Sequence, residues 1–204
     1  MRPSFRSILI TLLAVGAVAP AAAQDIKSLS TPYRSGFWWG LGLGAASAKV
    51  SCTACGSVDR ETFPMFDVRL GGTLSRSVTL GVQVAGGAKD GAFGDPSSVR
   101  HTVGDLNVSA YWYPKAEGDL WLQGGISGVV WQGKQGSTTL HSTAGGLTAG
   151  IGYDLRIGHR NLSISPSIRG TWGGEAKVID QDGNKADLKW KTSFVMLNVA
   201  VLWH

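Results

Sequence analysis

The stretch SFVMLNVAVLWH, Ser193 to His204, decides how the rest of the chain is read. Val195, Leu197, Val199, Val201 and Trp203 occupy every second position, the period that puts side chains on one face of a β-strand. Terminal segments fray unless something ties them down. A strand with one wholly apolar face is therefore expected to be paired to another strand and to turn that face toward an apolar medium.

Composition agrees with a half-apolar, strand-rich chain. The 204 residues include 29 Gly and 8 Trp, and only 16% are charged, which is too apolar and aromatic for disorder. Residues 1–23 read as a secretory leader, with Arg2 and Arg6 before the short apolar core ILITLLAVGAVA and with Ala21, Ala22 and Ala23 at the cleavage site. That core is shorter than the ~20 residues of a spanning helix. Removal of two Arg and no acid takes the formal charge from +5 to +3, so the mild basicity names no nucleic-acid partner. The expected organisation is a signal peptide (1–23), a periplasmic segment (24–36) and one domain (37–204).

Seven further runs alternate as the last one does. Their outward candidates are Phe37, Trp39, Leu41, Leu43 and Ala45; Phe66, Val68, Leu70 and Leu74; Val78, Leu80, Val82 and Val84; and Leu106, Val108, Ala110 and Trp112. The second half adds Leu120, Leu122, Ile126 and Val130; Leu147, Ala149, Ile151, Tyr153 and Leu155; and Leu162, Ile164, Ile168 and Trp172. Each run is about ten residues, enough for a tilted strand to cross a bilayer. Short connections at Ser75–Ser77, Pro114–Gly118 and Gly158–Arg160 alternate with longer ones, roughly 50–61, 89–101, 132–142 and 174–189. Tight turns at one end and long loops at the other distinguish an outer-membrane barrel from a soluble one. The expected fold is all-β, an eight-stranded antiparallel up-and-down transmembrane barrel, its last strand closing on its first.

Aromatic residues gather at the strand ends: Trp38, Trp39, Trp112, Tyr113, Trp121 and Trp203 at one level, and Phe63, Trp131, Trp172 and Trp190 at the other. They are read as two interfacial girdles, with Trp39, Trp112, Trp172 and Trp203 as the principal members. The segments RSGFWWGLGLGAAS, LNVSAYWYPK, GYDLRIGHRNLSISPSI and the terminal LWH resemble a diffuse family of small outer-membrane β-barrel proteins of OmpA/OmpX-type architecture. The resemblance runs from about Arg34 to His204 and implies a fold and an outer-membrane location, with no catalytic residue to carry over. The terminal strand also resembles the signal read by barrel-assembly machinery, with Trp203 penultimate instead of last.

The same register sends Asp67, Arg69, Gln83, Asp105, Asn107, Ser109, Tyr111, Gln123, Asp154, Ser163, Ser165, Arg169 and Asn198 inward. Eight strands leave an interior that side chains can fill, and a buried charge must be paired. Asp67, Arg69, Asp105 and Arg169 are therefore read as an ion network that plugs the lumen, with Asp154 nearer the periplasmic end. Catalytic carboxylates are the weaker reading, since each acid has an Arg available in the same space.

Other motifs are weighed against their chemistry. Gly40, Gly42 and Gly44 of GLGLGA precede no helix and so bind no dinucleotide; pointing inward, they make room for a bulky neighbour such as Tyr111. Pro166 removes a ladder hydrogen bond within the seventh run and suggests a bulge. Cys52 and Cys55 in SCTACGS, exported to an oxidising compartment, are read as a small-ring disulfide in preference to a zinc or redox site. DQDGN (180–184) lacks the Gly and Glu of a calcium loop and reads as a hairpin extending the last two strands. His141 and Ser142 are adjacent and so point apart, which excludes a base–nucleophile pair.

The function expected is a non-enzymatic integral outer-membrane protein with a plugged lumen, anchoring four exposed loops for surface interaction or envelope integrity. The alternatives are a narrow channel for small apolar molecules and a lipid A-modifying enzyme; inward Tyr111, Trp121, Trp131, Phe194 and Met196 speak against an open lumen. No cofactor or metal is implied. The expected partners are outer-membrane lipid and lipopolysaccharide, and the assembly machinery through the terminal strand; the barrel is expected to be a monomer.

Overall fold

The computed structural model describes residues 34–52, 60–91, 99–157, 162–180 and 182–204, without the side chains of residues 52 and 186–188. The leader, most of segment 24–36, and Cys55 with the side chain of Cys52 lie outside the described residues.

Eight long strands form one antiparallel sheet: β1 (Phe37–Cys52), β2 (Glu61–Ser75), β3 (Val78–Asp90), β4 (Arg100–Trp112), β5 (Leu120–Gln135), β6 (Thr138–Tyr153), β8 (Leu162–Asp180) and β9 (Lys185–Trp203). A two-residue piece, β7 (Leu155–Arg156), continues the line of β6 past Asp154. Each long strand pairs with its sequence neighbours, β6 passing on to β8, and β9 closes on β1 through Trp39↔Trp203, Leu43↔Val199 and Ser47↔Val195. Closure removes both edges, so every long strand has a partner on each side. Stacked rings of Trp39 and Trp203, 4.2 Å apart and 10° from parallel, cover the end of the seam.

The outward face matches the alternation read above. Leu43 (74% exposed), Ile126, Leu147, Leu197 and Val199 stand out from the sheet, while Asp67, Asp105, Arg169 and Asn198 are buried. That inversion of the usual distribution, apolar outside and charged inside, follows from a period-two pattern closed into a cylinder.

Strand length departs from expectation. The strands run 13 to 19 residues instead of about ten, and the long connections shrink accordingly. The 132–142 loop is a hairpin: β5 reaches Gln135, β6 begins at Thr138, and Gly136 takes the positive φ of 56° that the turn needs. Likewise β8 and β9 extend to Asp180 and from Lys185, with Gly183 at φ 84°. The ladder needs no apolar face to continue. Once paired within the barrel, stretches rich in Thr, Lys and Gln keep their backbone bonds beyond the hydrophobic zone, and their outward positions, such as Lys134, Lys177 and Lys189, carry no apolar alternation to mark them.

Pro166 also differs from expectation. The β8–β9 pairing runs through Pro166↔Val199 without a shift, whereas the ladder toward β6 and β7 breaks between Gly152↔Ser167 and Leu155↔Ile164. The missing N–H is met by a gap in the neighbouring ladder opposite Tyr153 and Asp154. No bulge forms at that position.

Candidate functional site in the barrel lumen

Three layers fill the interior. Toward the end where the strands project furthest, Ala46, Val50, Phe63, Met65, Val103, Val129, Trp131, Phe194 and Met196 make an apolar layer. A polar layer lies in the middle. At the short-turn end Trp38, Tyr111, Tyr113 and Trp121 form an aromatic cluster, with edge-to-face contacts of 5.4 Å (Trp38 to Tyr111) and 5.3 Å (Tyr111 to Trp121).

The polar layer is built on two Arg–carboxylate pairs. Asp67 and Arg69 lie two residues apart on β2, hence on the same inward face, and Arg69 Nε donates to Asp67 Oδ2 at 2.6 Å. Asp67 also accepts from Gln83 at 2.9 Å and from Asn198, while Arg69 donates to Ser167 at 3.3 Å. Arg169 on β8 reaches Asp105 on β4 with a fork of 2.6 and 3.1 Å. Both carboxylates are wholly buried. Asn107 donates to Asp105 at 2.9 Å and accepts from Ser109 at 2.9 Å; the Gln123 amide donates to Ser109 at 3.0 Å and to Gln83 at 3.3 Å. The two ion pairs thus belong to one hydrogen-bonded sheet of side chains, each acid holding several donors as burial demands.

A further acid closes the short-turn end. Asp154 interrupts the sheet between β6 and β7 and accepts from Ser165 (2.8 Å), Trp121 (2.9 Å) and Tyr113 (3.1 Å). The Arg34 guanidinium lies 3.5 Å from the Tyr113 ring centroid, donates to the Gly118 and Ala116 carbonyls at 2.5 and 3.3 Å, and stands 3.9 Å from Asp154. Burial, and then the Asp154 charge, push the Tyr113 hydroxyl above its ordinary range. The sequence reading missed Arg34 and Tyr113 as lumen groups. The signal lay in Asp154 itself, a charged residue on the inward parity at a strand end flanked by aromatic residues.

The structure redistributes the aromatic residues. Trp39, Trp112 and Trp172 face outward, and Trp203 covers the seam. Trp38, Tyr113, Phe63 and Trp190, expected in the girdles, turn inward; Trp121 and Trp131, grouped with the girdles by their level but inward by parity, also lie in the lumen, and Trp131 stacks on Trp190 at 4.1 Å. Alternation requires this: Trp38 adjoins Trp39 and Tyr113 adjoins Trp112, so one of each pair must face the lumen. Glycines accommodate the inward rings, for a Cβ on Gly152 would collide with Trp121 and one on Gly71 with Trp38. Gly42 makes room for Asp67 and Asn198 and Gly40 for Leu202; neither serves Tyr111. His141 lies in register opposite Gln132 and its neighbour Ser142 is buried on the other face. At the projecting hairpin, Asp180 accepts from the backbone N–H groups of Asn184 (2.8 Å) and Asp182 (3.0 Å), so its carboxylate shapes the turn.

No protein-family model matches the chain, and no curated protein matches it. Solved structures do. Neisserial surface protein A is similar over 83% of this chain and 97% of its own, at 15% identity and a TM-score of 0.58. OprG from Pseudomonas aeruginosa is similar over 84% and 97%, at 12% identity and 0.53. A major outer membrane protein from Thermus thermophilus is similar over 82% and 98%, at 11% identity and 0.50. The chain has the fold of the small outer-membrane β-barrel proteins.

Proposed function

We propose that this chain is a non-enzymatic integral protein of the outer membrane, whose lumen is plugged and whose projecting strand ends and connections act at the cell surface, in surface interaction or envelope integrity. The observation that carries this reading is the lumen. The Arg169 fork to Asp105 spans it from β8 to β4, and an apolar layer and an aromatic layer lie on either side of the ion pairs. Eight strands leave an interior that such side chains can fill, so neither a water column nor a substrate cavity is expected there.

The exposed apolar belt from Leu43 to Val199 supports insertion, since a bilayer accepts only strands whose backbone groups are satisfied by closure. The terminal strand, paired to β1 along its length, is the segment we assign to recognition by assembly machinery. Wild-type protein in a planar bilayer is expected to hold current at baseline. Steady, well-resolved conductance steps would overturn the plug and make the narrow channel the leading reading. Incubation of the folded barrel with envelope lipids is expected to give no modified product, and product formation would revive the enzyme reading.

A further inference from the structure

Where the ionic layer of the lumen meets the aromatic cluster, three donors are left over. Trp38 and Tyr111 are buried, at 4% and 3% exposure, yet among the described residues neither the Trp38 indole N–H nor the Tyr111 hydroxyl has a hydrogen-bond partner. The polar groups beside them are engaged. The Trp121 indole N–H goes to Asp154 and Ser165, and the Tyr113 hydroxyl goes to Asp154. Arg69 donates from Nε to Asp67 and from Nη2 to Ser167, which leaves Nη1 without an acceptor among the described residues. Its guanidinium carbon lies 5.9 Å from the Trp121 ring centroid. Trp38, Arg69 and Tyr111 line the same small cavity, walled otherwise by aromatic rings, Leu202 and His204, and no carboxylate is among its lining residues. A buried donor with no acceptor forfeits its hydration for nothing in return, so such a cluster calls for an occupant.

We infer that this cavity is a binding site for a single ordered water molecule, which accepts from the Trp38 indole N–H and the Arg69 guanidinium and bonds to the Tyr111 hydroxyl. The inference rests on the plugged-lumen reading, since an open lumen would offer these groups bulk solvent instead. Size points to one water: the cavity is about 10 Å³, the room that the centre of a single molecule needs. Charge excludes a halide, although the lining is rich in donors. Arg34, Arg69 and Arg169 are matched in the lumen by Asp154, Asp67 and Asp105, so an added anion would be a buried charge without a counterpart. An apolar occupant would leave all three donors dry. A water has two acceptor sites for the indole and the guanidinium, and Tyr111 either takes one of its hydrogens or donates its own. The molecule thereby ties β1, β2 and β4 together at the boundary between the ionic and aromatic layers, with a bridge nearly as good as a direct hydrogen bond.

The test is magnetisation transfer from water to side-chain N–H protons, measured by NMR on the isotope-labelled full chain refolded in detergent micelles. Trp38→Phe identifies the Trp38 indole resonance by removing it. In the wild type that resonance is expected to show cross-relaxation with water of opposite sign in the laboratory and rotating frames, as a long-held water gives and bulk solvent does not. Tyr111→Phe keeps the signal, because the indole and the guanidinium still hold the molecule. A signal lost in Tyr111→Phe is relayed from the hydroxyl proton and overturns the inference. Sodium bromide added to a halide-free buffer is expected to leave the Trp38 indole shift where it is; a saturable shift assigns the site to an anion and overturns the water. The side-chain amides of Asn107 and Gln123, inside the ionic layer, separate the two readings. If they stay protected while Trp38 shows no water, this inference alone falls. If they exchange as freely as exposed amides, the plugged lumen falls and the inference falls with it.

Discussion

A carboxylate inside a strand barrel is stable only with its donors in place, and Asp105 takes two of its hydrogen bonds from one guanidinium. Arg169→Ala is expected to lower unfolding free energy by about 3–5 kcal/mol, because it leaves that acid buried with Asn107 as its remaining donor. Urea unfolding of the refolded barrel, followed by tryptophan fluorescence, measures it. Adding Asp105→Ala should recover part of the loss, since partners in one network are not additive; an unchanged stability in Arg169→Ala would sink the pairing. Asp180 belongs to a different setting. Hydrogen bonds from Asn184 hold its carboxyl below the ordinary aspartate value of 3.8. A lowered folded value means that the turn is favoured above the ordinary value and loosens as pH falls through the folded one. An NMR titration of Asp180 and the Asn184 amide in the folded protein, set against a short peptide, should show the lower midpoint in the fold. Coinciding midpoints would contradict it. The inward parity of these residues is legible in the sequence, since Asp67 and Arg69 keep phase with their strand. The partnership of Asp105 with Arg169 is not, because no local spacing relates residues on β4 and β8.

At the scale of the strand, the period-two pattern predicts which side of each residue meets lipid. Leu197→Arg, at a position 61% exposed on the outer face, should destabilise the inserted barrel by about 2–4 kcal/mol if it lies near the midplane. Asn198→Arg, on the lumen side, should not follow that depth rule. Lipid-soluble labels attached at single cysteines should react at position 197 and spare 198; equal labelling would refute the register. Outer strand ends were harder to read. Residues such as Gln132, Lys134, Thr138 and Thr139 alternate without hydrophobicity, yet the β5–β6 ladder carries them as regular strand. The apolar layer of the lumen did leave a signal: Phe194, Met196, Trp131 and Val129 make their strands apolar on both faces, the mark of a strand buried on both sides.

For the whole molecule, closure is the property with the plainest measurement. A barrel with β9 paired to β1 along its length should refold into detergent micelles as a β-rich monomer that migrates anomalously on a gel until boiled. A helical spectrum, or ready solubility without detergent, would contradict the fold. The fold itself was legible in the chain: alternating runs, short and long connections in turn and an apolar last strand admit few solutions other than a closed up-and-down barrel, because a period of two leaves one face apolar and a bilayer tolerates no sheet edge. Stagger and closure decided the rest. They set Arg169 against Asp105 and drew Arg34 over Tyr113 at the short-turn end. Sequence by itself determined which way each side chain points, since that depends only on parity along a strand. Only the tertiary structure decided which side chains meet, since that depends on the register between strands and on which groups a closed lumen brings within reach.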